Sequence, residues 1–199
     1  ILPIADARQK FAPRERVELS EHALMPGLVN GHTHNPMTLM RGLADDLALM
    51  PWLQEHVWPA EGRVVGPEFV RDGVELAIAE MIRGGTTCCN ENYFFPDVQA
   101  STYRRYGFRA RIGLPVIGFP TPWASSRDEY FDKALEVHDS LRGEALLGTS
   151  FAPHAPYTVS NESFERIGLL SNQLDLPVHL HLHETAGEIT DSLRDFGMR

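Results

Sequence analysis

The sequence has 199 residues, 43% of them hydrophobic and 23% charged, and its 18 basic and 27 acidic side chains give a formal net charge of −9. This composition is typical of a globular protein and excludes collagen-like and disordered chains. The chain contains neither a basic run for nucleic acid phosphates nor about 18 consecutive apolar residues for a membrane span, so we expect neither partner.

Apolar runs of strand length alternate with helical patterns along the chain. The runs cover residues 24–30, 86–90, 110–117, 145–152 and 176–183. Helices are predicted over 67–83 and 128–141, and a third helix is predicted to start at Ser160 as its N-cap. Alternation of this kind is typical of an α/β fold with a parallel sheet.

Two stretches interrupt the alternation. Residues 1–23 have the pattern of edge strands and turns, and we assign them to part of a small β domain, with residues 24–199 forming the main domain. Residues 35–66 form a long insertion that contains Met, Trp and Pro residues. Insertions of this length in a compact domain usually act as a lid or a substrate wall.

Five of the nine histidines lie at the C-terminal ends of predicted strands: His32, His34, His154, His181 and His183. His32 and His34 are two residues apart at the end of the first strand, so both rings are predicted to point to the same side, with Thr33 turned away. Two imidazoles on one face can bind a single metal ion. A chance His-x-His sequence in a turn is the alternative, and the pair alone does not decide between them.

The last predicted strand alternates histidine with leucine. His179, His181 and His183 share one face, and burying three imidazoles without partners would be costly. We interpret His179, deepest in the strand, as a hydrogen-bonded core residue. His181 lies near the strand end, at the level of His32 and His34, and is the better candidate for a metal ligand.

Neutral imidazoles are good ligands for zinc and iron. Three histidine ligands leave a coordination position for water, whose pKa falls towards neutrality when it is metal-bound. Glu184 follows at the predicted mouth of the sheet, where a carboxylate can exchange protons with a substrate. The pattern therefore indicates metal-assisted hydrolysis.

Longer motifs around these histidines resemble the amidohydrolase superfamily. Within it, the chain is most similar to the aminohydrolases that deaminate 5′-methylthioadenosine and S-adenosylhomocysteine, a branch neighbouring the triazine hydrolases. The motifs that carry the resemblance are residues 25–34, 36–46, 52–53, 58–61, 153–157 and 181–184.

The resemblance implies a TIM-like (β/α)₈ metal-dependent hydrolase barrel. Such a barrel takes about 250 residues, and we expect this chain to hold about its first five β/α units, with a remnant of a small β-sandwich domain at the N-terminus. The remaining strands, which in this family carry a further histidine and an aspartate of the metal site, are expected beyond Arg199.

The resemblance also implies roles for individual residues. His32, His34 and His181 would bind one divalent metal ion, with zinc expected and iron the alternative. Glu184 would be the catalytic proton shuttle and would contact the purine ring.

Four other residues would bind substrate by the same resemblance. Glu61 would hold the ribose hydroxyls, since a carboxylate can accept hydrogen bonds from two adjacent OH groups. Trp52 would wall the purine or thioether side, and His154 would hydrogen-bond the substrate. Arg127 would reach the carboxylate of a homocysteine group, although a solvated arginine at a helix start is the favoured interpretation.

The implied activity is hydrolytic deamination of an adenine nucleoside, giving an inosine-type product and ammonia. The alternatives are a related enzyme acting on guanine, cytosine or a chlorotriazine, and a non-catalytic scaffold that has lost its metal. The adjacent Cys88 and Cys89 are poorly placed to pair with each other, which favours a reducing compartment and hence the cytoplasm. The family resemblance is also compatible with a homodimer.

Overall fold

The computed structural model describes residues 1–198, and within this range four strands form one parallel sheet in the order β1-β2-β3-β4. The strands are β1 (Leu28–Thr33), β2 (Thr86–Glu91), β3 (Arg109–Val116) and β4 (Leu147–Pro153). Register pairs such as Glu91 with Ile112 and Ile112 with Thr149 align the carboxyl ends of the strands at one edge. His32, near the end of β1, and His154, directly after β4, lie at this edge.

Helices connect the strands and flank the sheet. They are α1 (Ile4–Lys10), α2 (Leu49–Pro51), α3 (Trp58–Val64), α4 (Pro67–Arg83), α5 (Pro96–Tyr106), α6 (Arg127–Ser140), α7 (Asn161–Leu174) and α8 (Ala186–Phe196). A 3₁₀ segment, Asn35–Met40, follows β1, and a π-helical segment, Trp52–Val57, joins α2 to α3. Among residues 1–198, no helix is both long enough and apolar enough to cross a membrane.

The core lies between the sheet and helices α4 to α7. Its largest fully buried side chains include Tyr103, Tyr130, Phe131 and Phe151. The predicted helices are confirmed, with α4 spanning Pro67–Arg83, α6 starting one residue early at Arg127, and Ser160 capping α7 by accepting the Ser163 N–H. The predicted parallel α/β sheet is confirmed as well.

The fifth predicted run does not form a regular strand. Residues 176–183 lie beside β4, but only one parallel bridge, between Phe151 and Val178, is recorded. The backbone still follows β4, because the N–H groups of His179 and His181 donate to the carbonyls of Phe151 and His154 at 2.8 and 3.0 Å. Pro177 has no N–H to donate, which limits regular pairing here.

The edge-strand expectation for residues 1–23 is wrong in the described structure. Ile4–Lys10 is helical, and no strand precedes Leu28 within residues 1–198. The segment contains Ala, Arg, Gln and Lys, which are strong helix formers. Its side chains are almost all exposed, so no packed neighbour imposes an extended conformation.

The insertion at residues 35–66 is largely helical rather than a structureless loop. Its 3₁₀ segment packs against α4, where Gly73 allows close approach, because a Cβ there would lie 2.5 Å from the Pro36 carbonyl oxygen. The expected substrate wall is therefore built from consecutive helical turns.

Candidate metal centre

Two imidazoles converge at the end of β1. Their Nε2 atoms, those of His32 and His34, lie 3.2 Å apart. Strand alternation brings both rings to one side, as the sequence predicts, while the Thr33 hydroxyl instead donates to the Asn35 side-chain oxygen at 2.7 Å.

His181 supplies a third ring from the segment beside β4. Its Nε2 lies 3.1 Å from that of His34, and the two rings stack with centroids 5.1 Å apart. Together, His32, His34 and His181 offer ligand atoms that all lie within 4.8 Å of one another. The structure therefore brings together the three histidines that the sequence analysis selected.

The opposite nitrogen of each ring has a partner of its own. His34 Nδ1 bonds the Asn92 carbonyl oxygen, and His181 Nδ1 donates to the His154 carbonyl oxygen at 2.9 Å. His32 Nδ1 lies 2.8 Å from Nε2 of His179. A neutral imidazole that donates through Nδ1 keeps a lone pair on Nε2, so the carbonyl partners of His34 and His181 select the tautomer whose Nε2 can bind a metal ion.

The donor set fits a divalent transition metal. Two nitrogens that bind one zinc ion at about 2.0–2.1 Å can be at most roughly 4 Å apart. The Nε2 separations of His34 from His32 and from His181, 3.2 and 3.1 Å, satisfy this limit. Burial lowers the pKa of His34 to about 3 and also lowers that of His32. Both rings are thus neutral at physiological pH, the form that coordinates metal ions.

Two further polar side chains flank the three rings. The His154 ring lies 4.9 Å from that of His181, and its Nδ1 contacts the Thr158 hydroxyl at 2.8 Å. Burial lowers the pKa of His154 to about 4. The Tyr157 hydroxyl donates to Oε2 of Glu184 at 2.9 Å, which orients this exposed carboxylate.

A cavity of about 390 Å³ opens beside the histidines. Its wall is mostly aromatic and aliphatic, and the side chains lining it include His34, Trp52, Trp58, Glu61, Tyr93, Phe119, His154, His181 and Glu184. The Trp58 and Phe119 rings meet edge to face with centroids 5.5 Å apart. Trp52 donates its indole N–H to the Leu43 carbonyl at 3.1 Å, so its ring is held in the wall.

Glu61 is a carboxyl group in this apolar wall. It is 8% exposed, and its Oε1 accepts the Tyr93 hydroxyl at 2.7 Å. Burial raises the pKa of Glu61 to about 7, against the lowering effect of the Tyr93 hydrogen bond. The second carboxyl oxygen is left for another donor.

Glu91, at the end of β2, is fully buried and was not predicted as a site residue. Its carboxyl oxygens accept the backbone N–H of Asn35 at 3.1–3.2 Å, the N–H of Asn92 at 3.1 Å and the Tyr103 hydroxyl at 3.0 Å. Burial raises the pKa of Glu91, but the three donors lower it and favour the ionised form, because no acceptor faces the carboxyl to receive a proton. The position just after a strand was the only signal in the sequence.

Arg127 is not brought to the cavity. It is the first residue of α6, its side chain is exposed, and its guanidinium lies 3.9 Å from Asp128. His183 does not join the cluster; it is exposed, and its backbone adopts a positive φ of 57°. Tyr93 and Tyr157 are cavity residues that the sequence analysis did not assign; both follow strand ends, as catalytic groups of parallel α/β proteins do.

The chain is similar to several known proteins. Over all 199 residues the chain is 47% identical to the 5-methylthioadenosine/S-adenosylhomocysteine deaminase of Saccharophagus degradans and covers 45% of it. A crystal structure of an adenosine deaminase from Xanthomonas campestris with bound zinc matches the whole chain with a TM-score of 0.95 at 64% identity, and the chain covers 45% of it. An atrazine chlorohydrolase from Arthrobacter aurescens TC1, complexed with zinc, matches 87% of the chain with a TM-score of 0.77 at 19% identity, which shows a shared fold; the chain covers 44% of it.

The chain thus spans less than half the length of these proteins. The sequence profile of the amidohydrolase family matches residues 23–199. That match takes in the three clustered histidines and most of the chain. The chain belongs to the amidohydrolase family.

Proposed function

We propose that this chain is the part of a nucleoside aminohydrolase that carries three of its metal ligands. The reaction is hydrolysis of the 6-amino group of an adenine nucleoside such as 5′-methylthioadenosine or S-adenosylhomocysteine: water supplies the new oxygen, and the amino group leaves as ammonia. The observation that carries the proposal is the convergence of the His32, His34 and His181 Nε2 atoms while each Nδ1 is held by another group.

Each residue of the proposed site has a distinct role in the reaction. A divalent ion, with zinc as the expected species, would be held by the three histidines and would activate water near neutral pH. Glu184 takes the proton of the attacking water and delivers it to the purine ring, and the Tyr157 hydroxyl keeps the carboxylate in place. His154 forms a hydrogen bond with the substrate from beside His181.

Glu61 is assigned to the ribose hydroxyls. Its buried carboxyl has one oxygen occupied by Tyr93 and the other free for a hydroxyl donor. Trp52 lies in the same cavity wall and would pack against the purine or thioether. Arg127 stays outside this assignment, since its side chain does not line the cavity.

The relatives' lengths support a fold proposal as well. We infer that residues 24–199 form about the first five units of a (β/α)₈ barrel. We also infer that the exposed residues 1–23, although helical at Ile4–Lys10, are part of a small domain whose β strands are formed elsewhere in the full-length protein. A cytoplasmic location and a homodimer complete the proposal; the free thiols of Cys88 and Cys89 fit a reducing compartment. Size-exclusion chromatography with light scattering on the full-length protein tests the dimer.

The direct test is ammonia release by the zinc-loaded full-length protein with 5′-methylthioadenosine, S-adenosylhomocysteine, adenosine and guanine. We expect turnover of at least one adenine nucleoside and none of guanine. Guanine turnover without nucleoside turnover, or a protein that stays metal-free and inactive, would overturn the proposal.

A Glu61→Ala variant sharpens the test. Because a carboxylate that holds ribose hydroxyls matters only for nucleosides, kcat/KM should fall by roughly 10²-fold for the nucleoside but change little for free adenine, if adenine is turned over. Arg127→Ala, outside the cavity, is the matched control and should leave kcat/KM for 5′-methylthioadenosine unchanged. Equal losses for nucleoside and free base would contradict the ribose assignment.

A further inference from the structure

The residues at the end of β2 connect the histidine cluster to the core. Glu91, the last residue of β2, is fully buried and pairs with Thr33 of β1. Its two oxygens accept backbone N–H groups from two different chain segments, at Asn35 and at Asn92. Asn35 directly follows His34. The carbonyl of Asn92 is the group that bonds Nδ1 of His34.

The hydrogen bonds around Glu91 run in one direction. The Asn35 side-chain amide donates to the Tyr103 hydroxyl, and that hydroxyl donates its own proton to Glu91 Oε2. Thr33 donates to the remaining oxygen of the Asn35 side chain. Every hydrogen-bonding group that contacts the Glu91 carboxylate is a donor. Only a side chain that accepts through both of its oxygens satisfies all of these donors.

We propose that Glu91 is a positioning residue for the metal centre, which fixes the His34 ring by holding the backbone on both sides of it. One oxygen pair anchors the residue that follows His34 and also the residue whose carbonyl sets the ring's tautomer. Outer contacts of this kind orient ligands that they do not touch. The inference rests on the proposed metal site and adds to it a residue that does not itself bind the metal ion.

The test compares zinc affinities of full-length variants in a chelator competition. In Glu91→Gln, an amide N–H₂ replaces one acceptor oxygen and faces a donor, so we expect the zinc dissociation constant to rise about 10- to 100-fold. The matched control is Ile112→Val, which trims a fully buried side chain at the position paired with Glu91 in the sheet. It should lower thermal stability without changing zinc affinity.

A second variant keeps the inference testable if Glu91→Gln does not fold. Tyr103→Phe removes one donor to Glu91 and the partner of the Asn35 side chain but leaves both backbone contacts. Its zinc affinity should fall between those of Ile112→Val and Glu91→Gln. Hydrogen exchange of the Asn35 amide in the zinc-free protein should quicken in Glu91→Gln and stay slow in Ile112→Val.

The outcomes separate the two proposals. If the wild-type protein binds zinc, and Glu91→Gln and Tyr103→Phe bind it as tightly as Ile112→Val does, Glu91 has no positioning role. If the wild-type protein binds no zinc at all, the proposed function itself fails, while the hydrogen-exchange result still reports whether Glu91 holds the Asn35 backbone.

Discussion

Glu61 is a single carboxyl group whose surroundings change its chemistry. Desolvation opposes its charge, and the Tyr93 hydroxyl only partly compensates, so its pKa is raised to about 7 from an ordinary value of 4.5. The folded protein therefore holds a proton on Glu61 at pH values where the unfolded chain has released it. Hydroxyl donors from a bound ribose would favour the ionised form and lower this pKa.

This shift predicts a pH dependence of stability. The contribution of Glu61 is fully present below pH 4.5 and is lost as the pH rises to about 7, because the folded state binds the extra proton. Between pH 5 and pH 8, the zinc-free wild type should lose roughly 2 to 3 kcal/mol relative to Glu61→Gln, which does not titrate. Urea unfolding of both full-length proteins at the two pH values measures this; a pH-independent difference would contradict the shift.

Individual site residues could be predicted from the sequence where they form a local motif. His32, His34 and His181 were selected from alternation and position, and the structure brings them together. Glu91 and Tyr93 could not be selected in the same way. Their roles arise from hydrogen bonds to residues 56 and 32 positions away along the chain, and no local pattern records such contacts.

Among the elements, those with a strong local pattern were predicted well. Helix α4 has a proline at its start, a regular apolar face and glycines after its end, and its limits match the prediction. Helix α5 was missed because its buried face includes the polar Gln99 and Thr102, which break the apolar period. The π-helical segment was also missed; Pro59 removes the N–H that would bond the Glu55 carbonyl, which favours a widened turn.

The packing of α4 against the segment after His34 gives a second prediction. Alanine at Gly73 would place a methyl group 2.5 Å from the Pro36 carbonyl oxygen, so Gly73→Ala should cost about 1–3 kcal/mol of stability and weaken zinc binding by shifting the chain beside His34. Gly168→Ala is the control. Gly168 lies within α7, and no atom would lie within 4 Å of the new Cβ, so Gly168→Ala should increase stability by about 0.5–1 kcal/mol. Denaturant unfolding and zinc retention report both changes, and equal behaviour of the two variants would disprove the close packing.

For the molecule as a whole, the open sides of the sheet matter most. Within residues 1–198, β1 pairs only with β2, and Leu28 and Val29 on this edge strand are 50% and 68% exposed. Leu182, on the segment beside β4, is 59% exposed. Large apolar side chains on unpaired sheet edges promote association between chains.

We therefore expect this 199-residue span, expressed alone, to aggregate or fail to fold cooperatively, whereas the full-length protein should remain dispersed. Light scattering and thermal unfolding of both proteins provide the measurement. A monomeric span with a single cooperative melting transition would refute the expectation and would argue against an incomplete barrel.

The tripeptide Glu91-Asn92-Tyr93, which begins with the last residue of β2, has a consequence for how this protein can vary. Glu91 holds the Asn35 backbone, Asn92 bonds His34 through its carbonyl, and Tyr93 donates to Glu61. Three consecutive residues thus contact three different partners, and each contact depends on the position of its residue along the chain. A one-residue insertion or deletion here would rotate all three out of alignment together, so homologues should tolerate replacements at these positions far more readily than any change in loop length.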